Sequence, residues 1–191
     1  ECRLPIILNV LEDLLSPRGI IVRNDSPMLA AEGISPSVRV ARGQQPEPFA
    51  ARSGSVQFMI DLQTGQKTGL YLDQLDNYAA VARFARGRRV LDCFCNQGGF
   101  ALACALAGAS EVTAVDVSQD AMDAVARNAR LNGVSVQCVT DNAFDFLKKE
   151  AALVRDGGEH KWDLIILDPR SITRNKKSVH DPMRGYKEIH L

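Results

Sequence analysis

From residue 88 to residue 168 the sequence alternates short apolar segments with longer amphipathic ones, and this alternation restricts the fold more than any other feature. The apolar segments, each of strand length, are RRVLDCF, EVTAVDV, VSVQCVT and WDLIILD. Between them lie GFALACALAGA, SQDAMDAVARNARLNG and NAFDFLKKEAALVRDGG, which favour helices. In the middle one Ser118 is the predicted N-cap and Gly133 the predicted stop. Apolar strands alternating with helices predict a parallel sheet covered on both faces, a doubly wound α/β domain.

The first seventy residues have a different pattern of predicted secondary structure from the rest. The segment LPIILNVLEDLL, residues 4–15, has the apolar spacing of a helix, and SPRG ends it. GIIVRND, SVRVARG and SVQFMIDL have the composition of short strands, whereas ARGQQPEPFAARSG is predicted to be an exposed loop. We therefore expect a small β-rich α+β domain over residues 1–72 and the α/β domain over residues 73–191. The first helix of the second domain, DNYAAVARFARG, is predicted to end at Gly87.

The predicted sheet needs more strands than this chain supplies. WDLIIL is apolar throughout, so we expect it to be an interior strand with a neighbour on each side. An open apolar edge is a form that natural proteins avoid. The chain also starts at Glu1 without an initiator methionine. We expect a piece of a longer protein in which the α/β domain is truncated after its fourth strand.

Charge and composition restrict the surroundings in which the chain works. Lys and Arg number 23 and Asp and Glu number 23, so the chain as a whole is not a general electrostatic binder of nucleic acid. The segment 170–187 nevertheless holds six Lys or Arg against one Asp, which suits either an RNA-contacting loop or a solvated loop. No apolar run has the length of a membrane span and no secretory leader is present, so we expect a cytoplasmic protein without membrane contact.

The cysteines point to packing. Cys93, Cys95, Cys104 and Cys138 lie in apolar stretches, which suits a reducing compartment. The Cys93-x-Cys95 pair lacks a second pair or clustered histidines, so no metal site is expected.

Acidic residues stand where the predicted strands end. Asp92, Asp116 and Asp168 close three of the strands, and Asp141 follows the remaining one. Ligands of such sheets bind beyond the carboxyl ends of the strands, so these carboxylates predict one acidic rim. For each aspartate alone, capping of a helix or turn is an equally good interpretation.

The turn between the first strand and its helix narrows the choice of ligand. CNQGGF lacks the G-x-G-x-x-G spacing of a dinucleotide site, and the carboxylate of Asp92 before it is a poor neighbour for a pyrophosphate. The ammonium and sulfonium groups of S-adenosylmethionine suit that carboxylate better than NAD does. Gly98 and Gly99 let the backbone approach the ligand, and Asp116 is placed for ribose hydroxyls. Asp141 and Asn142 are placed for the adenine edge.

Five segments together resemble class I S-adenosylmethionine-dependent RNA methyltransferases: GQKTGLYLDQ, LDCFCNQGGFAL, VTAVDVSQDAMDAVARNARLNG, DNAFDFL and WDLIILDPRSITRNKKS. The resemblance is strongest to the 23S ribosomal RNA cytosine-C5 methyltransferases and covers residues 19–191. It implies a Rossmann-like catalytic domain, a preceding middle β domain and PUA domain, and ribosomal RNA as the partner. A related family that shares QKTG-x-x-LDQ methylates guanine N7, so the target base stays open, as does a homodimer.

The resemblance also implies roles for single residues. Asp92 through Gly98 would hold the methionine end of the cofactor, Asp116 the ribose, and Asp141 to Ala143 the adenine. Asp168 and Pro169 would border the target base. Gln66 and Lys67 would fold over the cofactor or the RNA backbone, although a hairpin turn with a solvated lysine is the alternative. The implied cofactor-binding set is Gln66, Lys67, Asp92, Phe94, Asn96, Gly98, Gly99, Asp116, Val117, Asp141, Asn142, Ala143 and Asp168.

Departures from the family pattern concern the RNA side. The family's DPP reads Asp168-Pro169-Arg170, and the usual aromatic two residues later is Ile172. Leu75 and Tyr78 stand where arginines are expected after LDQ and DN. A non-catalytic RNA-binding module that keeps the fold is therefore an alternative.

Cytosine C5 requires a thiolate that attacks C6, and this chain offers no candidate for that nucleophile. Cys93 and Cys95 lie on the cofactor side, and Cys104 falls within a helix. We therefore expect the chain alone not to methylate cytosine.

Overall fold

The computed structural model describes residues 2–63 and 70–169 together with Lys187, and these form two compact units. One unit comprises Glu1–Ala50 and Ile60–Tyr71, and the other comprises Ala51–Met59 and Leu72–Leu191. None of the helices within the described ranges is both long and apolar enough to cross a membrane.

The first unit is built around one helix and one pair of strands. Its elements are α1 (Leu4–Leu15), β1 (Gly19–Asn24), a 3₁₀ helix (Pro27–Glu32) and β2 (Ser37–Gly43). β1 and β2 pair antiparallel, with an irregularity in register between Ile20 and Ile21. The Arg42 guanidinium on β2 donates to the Glu12 carboxylate of α1 across 3.2 Å. The predicted helix and the first two predicted strands are confirmed.

The segment expected to be an exposed loop holds a strand near its end. β3 (Phe49–Ser53) pairs with β4 (Val56–Ile60), and Gly54 between them has a φ of 59°. The loop prediction is wrong there because β3 is stabilised by pairing with β4 across a two-residue turn. The Pro- and Gln-rich composition around β3 does not by itself favour a strand. Val56 and Phe58 on β4 are buried, so the hairpin is anchored by its apolar face.

The second unit is the predicted doubly wound domain. Its remaining elements are a 3₁₀ helix (Leu72–Gln74), α2 (Leu75–Ala82), β5 (Arg89–Cys93), α3 (Gly99–Leu106), β6 (Glu111–Asp116), α4 (Gln119–Asn132), β7 (Gln137–Thr140), α5 (Ala143–Arg155) and β8 (Leu164–Leu167). The strands form one parallel sheet in the order β7-β6-β5-β8. The fold class, a Rossmann-like α/β sheet, is confirmed.

One helix is shorter than predicted. α2 ends at Ala82 and not at Gly87, because the chain tightens there into short-range bonds from Phe84 N to Val81 O and from Ala85 N to Ala82 O. By contrast α4 begins after its Ser118 cap and ends at Gly133, as predicted.

Side chains of the strands alternate between two apolar layers. Val90, Val112 and Ala114 pack with α3 and α4 on one face. Leu91, Cys93 and Val115 pack with residues of α5 on the other. Both faces of the sheet are therefore covered, which explains why the central positions of its strands are mostly apolar.

The strand order places a switch point at β5. The chain runs from β5 outward through β6 to β7 and then returns to β8 on the opposite side of β5. Cys93 of β5 is paired with Val115 of β6 and with Leu167 of β8. The residues that follow these three therefore lie close together at the carboxyl ends of the strands. In the described residues β8 pairs only with β5, and Ile165 of β8 is 47% exposed.

Candidate functional site

The loop between β5 and α3 has an unusual backbone. Phe94, Asn96 and Gly98 have φ values of 62°, 50° and 81°, all in the left-handed region. A left-handed conformation is uncommon for non-glycine residues and costs most for a bulky one such as phenylalanine. Backbone strain of this kind persists only where the surroundings impose it, and it concentrates at functional sites.

Hydrogen bonds within the unit impose this loop shape. The amide of Asn96 donates to Asp116 Oδ2 at 3.0 Å, and the amide of Gln97 donates to Asn96 Oδ1 at 2.8 Å. The amides of Cys95 and Gly98 donate to the carbonyls of Val115 and Cys95. Because these four amides are engaged within the chain, the loop is not shaped as a cradle for phosphates, unlike a dinucleotide turn.

Asp116 joins this loop to the end of β6. Its Oδ2 accepts from Asn96 and its Oδ1 accepts from the amide of Ser118 at 3.1 Å. Each oxygen of an ionised carboxylate has a second lone pair, so Asp116 can still accept hydrogen bonds from the hydroxyls of a ribose. The next residue, Val117, is 73% exposed and offers an apolar surface beside the carboxylate. These two residues fit the adenosine part of S-adenosylmethionine.

Asp92 lies below the predicted rim. Its side chain is 0% exposed, and Oδ2 accepts from the amide of Ala101 at 3.0 Å. Oδ1 is buried without a hydrogen-bond partner. Burial raises the pKa of this carboxyl to about 8; the Ala101 amide opposes the shift, and the charges of Asp168 and Asp116 add to it. The carboxyl is therefore largely protonated at neutral pH, and its part in holding the cofactor stays a prediction.

The two adjacent glycines are required for different reasons. Gly98 has a positive φ, and a Cβ there would lie 3.0 Å from a methyl group of Val125. At Gly99 a Cβ would lie 2.2 Å from Cζ of Tyr78. The Tyr78 ring also packs edge-on against Phe100, with 4.8 Å between ring centroids. Side chains of this unit fill the space beside both glycines, where the sequence predicts a close approach of the ligand.

The residues expected to contact adenine form the start of α5. Asn142 caps the helix by accepting from the amide of Phe144 at 2.9 Å. Asp141 pairs with the Lys149 ammonium at 2.8 Å, and this hydrogen bond holds the pKa of the Asp141 carboxyl below its usual value. The helix cap is thus Asn142, whereas Asp141 is held in an ion pair. The adenine role of Asp141, Asn142 and the buried Ala143 stays a prediction.

The aromatic ring of Phe144 contacts the strained loop. Its centroid lies 5.7 Å from that of Phe94 in a nearly perpendicular arrangement. The sequence did not single out Phe144, and no local pattern distinguishes it from a core residue.

The residues expected to border the target base are only partly described. Asp168 follows β8, and partial loss of solvent around its carboxyl, together with the negative charge of Asp73, raises the pKa of that carboxyl. Pro169 follows it. Gln66 and Lys67, Arg170 and Ile172, and the basic segment 170–187 except Lys187 lie outside the described residues.

The thiols near the site are buried, as predicted. Cys93, Cys95 and Cys104 lie in the two apolar layers. Burial raises the pKa of Cys93 and of Cys104 to about 12 and raises that of Cys95 as well. A thiol that stays protonated is a poor nucleophile and a poor metal ligand. Across the ranges the structure describes, no three His, Cys, Asp or Glu residues are grouped to hold a metal ion.

A pair of asparagines on α4 faces the β4 strand, and one of them, Asn128, also contacts the 94–98 loop. Asn128 and Asn132 face β4, and Asn128 is 1% exposed beside apolar Val125 and Ala129. Sequence reasoning missed them. The available signal was a polar side chain in the buried stripe of an amphipathic helix, repeated four residues later.

A parallel sheet whose switch point holds a preshaped loop beside a carboxylate, that of Asp116, is typical of α/β proteins that bind nucleotide-type ligands. The comparisons agree with that class. The model of the S-adenosylmethionine-dependent methyltransferase family matches residues 38–188, and the chain belongs to this family. S-adenosylmethionine is thus the cofactor of the family, and Asp116, Val117 and the 94–98 loop fit it.

Individual proteins resemble the chain over part of their own length. It is 37% identical to the ribosomal RNA large subunit methyltransferase I of Aeromonas hydrophila, an alignment that includes 100% of this chain and 48% of that protein. The chain thus spans about half the length of that relative. The structure of SMU.776 complexed with SAH matches with a TM-score of 0.63 and 28% identity, covering 80% of this chain and 42% of that one. The SAM-dependent methyltransferase from Agrobacterium tumefaciens has the same fold, with a TM-score of 0.63, 23% identity and coverage of 80% and 46%.

Proposed function

We propose that this chain binds S-adenosylmethionine at the carboxyl ends of β5 and β6 and acts in the methylation of large-subunit ribosomal RNA. The observation that carries the proposal is the bond between the Asn96 amide and Asp116, which sets an acceptor carboxylate beside a loop already held in shape. The likeness to a ribosomal RNA methyltransferase along the whole chain supports RNA as the substrate. The proposed cofactor-binding domain begins near residue 73, and hairpin residues Ala51–Met59 pack with it.

In this proposal the chain's own residues orient the methyl donor. Asp116 accepts the ribose hydroxyls, Val117 covers an apolar face, and the start of α5 borders the adenine. The cofactor supplies an electrophilic methyl group on a sulfonium. Asp168, at the end of β8, borders the space into which the target base would enter.

C5 of cytosine is the proposed target atom, and its methylation requires a reactive thiolate that the described thiols do not provide. Methylation at C5 requires a thiolate that attacks C6. The raised pKa of Cys93, Cys95 and Cys104 favours a nucleophile from elsewhere. The same observation favours guanine N7 as a second candidate, because its own lone pair can attack the methyl group.

Calorimetric titration tests the cofactor half of the proposal. We expect S-adenosylmethionine to bind the chain and NAD not to bind. The matched variants are Asp116→Ala, which removes the proposed ribose acceptor, and Asp163→Ala, which removes a carboxylate at the opposite end of the sheet. Absence of heat from S-adenosylmethionine at millimolar concentration, or equal weakening by both variants, contradicts the proposal.

A transfer assay tests the substrate half. The chain alone, and any longer natural protein that contains it, is incubated with methyl-labelled S-adenosylmethionine and unmodified large-subunit ribosomal RNA. Nuclease digestion and mass spectrometry then separate 5-methylcytidine from 7-methylguanosine. We expect 5-methylcytidine from the longer protein and none from the chain alone. Binding without any transfer by the longer protein favours the non-catalytic RNA-binding module.

A further inference from the structure

Asn128 of α4 contacts two segments that are distant in sequence. Its Oδ1 accepts from the amide of Met59 on β4 at 2.8 Å. Its Nδ2 donates to the carbonyl of Gln97 in the 94–98 loop at 3.3 Å. An amide is only a donor and a carbonyl is only an acceptor, so these partners assign the two ends of the Asn128 side chain. The side chain is almost wholly buried, where a missing partner is costly.

Asn132, one turn further along α4, provides a natural comparison. Its Oδ1 accepts from the amide of Gln57 at 2.8 Å, and its Nδ2 donates to the carbonyl of the same residue at 2.7 Å. The same nitrogen also contacts the carbonyl of Asn128 at 2.7 Å. Both asparagines therefore hold β4 against α4, but only Asn128 also contacts the loop.

The orientation of the Gln97 carbonyl affects the conformation of the loop because this carbonyl shares a peptide plane with the amide of Gly98. Peptide groups are rigid and planar, so fixing that carbonyl also fixes the direction of the Gly98 N–H. That N–H donates to the carbonyl of Cys95 at 2.8 Å and closes the turn. The turn in turn carries Asn96, whose amide reaches Asp116.

We propose that Asn128 is a positioning residue for cofactor binding: it orients the Gln97–Gly98 peptide and couples the loop to the β3–β4 hairpin. The inference rests on the proposed binding of S-adenosylmethionine at this loop. It assigns the hairpin a role in the site through α4 and not through contact with the ligand.

The test compares Asn128→Ala with Asn132→Ala in the full chain. Both variants remove an amide that holds β4, so both should lower the melting temperature. Amide hydrogen exchange is measured first, without ligand, at Gly98 and Gln97. We expect exchange at these amides to rise about tenfold in Asn128→Ala and to stay within about twofold of wild type in Asn132→Ala. The affinity for S-adenosylmethionine, from calorimetry, should fall about tenfold in the first variant only.

A second variant covers the case in which Asn128→Ala does not fold. Asn128→Asp keeps an oxygen that accepts from Met59 but replaces the donor that faces Gln97 O, so loop exchange should rise here too. Equal loop exchange in the Asn128 and Asn132 variants overturns the inference, whatever happens to affinity. If wild type binds no S-adenosylmethionine, the proposed function fails, while the exchange comparison still decides the positioning role.

Discussion

The amide of Asn96 donates to Oδ2 of Asp116 across 3.0 Å, so the loop after β5 is tied to the end of β6. Asn96 holds a left-handed φ of 50° in this arrangement. Part of the cost of that conformation is offset by a hydrogen bond to an ionised acceptor, which is stronger than a neutral one. One carboxylate therefore shapes the loop and also offers the remaining lone pairs to a ligand.

Replacing Asp116 should both loosen the loop and remove an acceptor for the ligand. In Asp116→Ala we expect the affinity for S-adenosylmethionine to fall by about tenfold to a hundredfold, which corresponds to about 1.4–2.8 kcal/mol. Asp116→Asn should lose only part of the affinity. Its amide oxygen can still accept from one of the two backbone donors, whereas its NH2 group cannot accept from the other. Calorimetry measures both variants. Wild-type affinity in Asp116→Ala would contradict the assigned role.

Asp92 should make the protein less stable as the pH rises. Its pKa is 3.8 as an ordinary value and about 8 when folded, so the folded state binds the extra proton between these values. The stability contributed by the protonated carboxyl is complete below about pH 4 and is lost as pH rises towards 8. The variant Asp92→Asn carries a neutral amide that cannot ionise. Its stability advantage over wild type should therefore grow from pH 5 to pH 8, by up to about 1.4 kcal/mol per pH unit.

Urea denaturation at several pH values measures this effect, with Asp163→Asn as the control. The hydrogen bond from Arg89 lowers the pKa of Asp163 to about 2, so this carboxyl stays ionised from pH 5 to pH 8. The difference between Asp163→Asn and wild type should then be constant over that range. A constant difference for Asp92→Asn as well would mean that the buried carboxyl is not protonated.

Gly99→Ala should destabilise the second unit by steric conflict with Tyr78. The added Cβ would lie 2.2 Å from Cζ of the ring, and overpacking of this kind costs about 1–3 kcal/mol. Tyr78→Ala should relieve most of the cost, which a double-mutant cycle measures. Gly133→Ala is the control: it has open space and a φ of 66°, so its cost should be independent of Tyr78. An additive cycle for Gly99 and Tyr78 would refute the contact.

Cysteine modification should follow burial. Cys2 is exposed, whereas Cys93, Cys95 and Cys104 are buried with a raised pKa. With iodoacetamide at pH 8, the exposed Cys2 should react first, and the other three should react only as the second unit unfolds. Peptide mass spectrometry against time gives the rates, and denaturation in urea should equalise them. Rapid labelling of Cys93 or Cys95 in the native protein would contradict their burial and would make them candidate nucleophiles.

Elements whose signals are local were predicted closely. α4 begins after Ser118 and ends at Gly133 because an N-cap oxygen and a left-handed glycine act on their own neighbouring residues. β3 was missed because its stability comes from β4 and not from its own composition. Asn128 was missed for the same reason at longer range, since its partner Met59 lies 69 residues away in the chain.

The sequence by itself determined the alternation of strands and helices, the parallel sheet and the class of cofactor. These follow from apolar periodicity, capping residues and the composition of a short turn, and all of them act between near neighbours. Only the tertiary structure decided that Asp92 is buried under α3, that Asp116 shapes the loop, and that Phe94 and Asn96 adopt left-handed conformations. The accessibility of a side chain and the strain of a backbone depend on what packs against them, and that is set by segments far apart in the sequence.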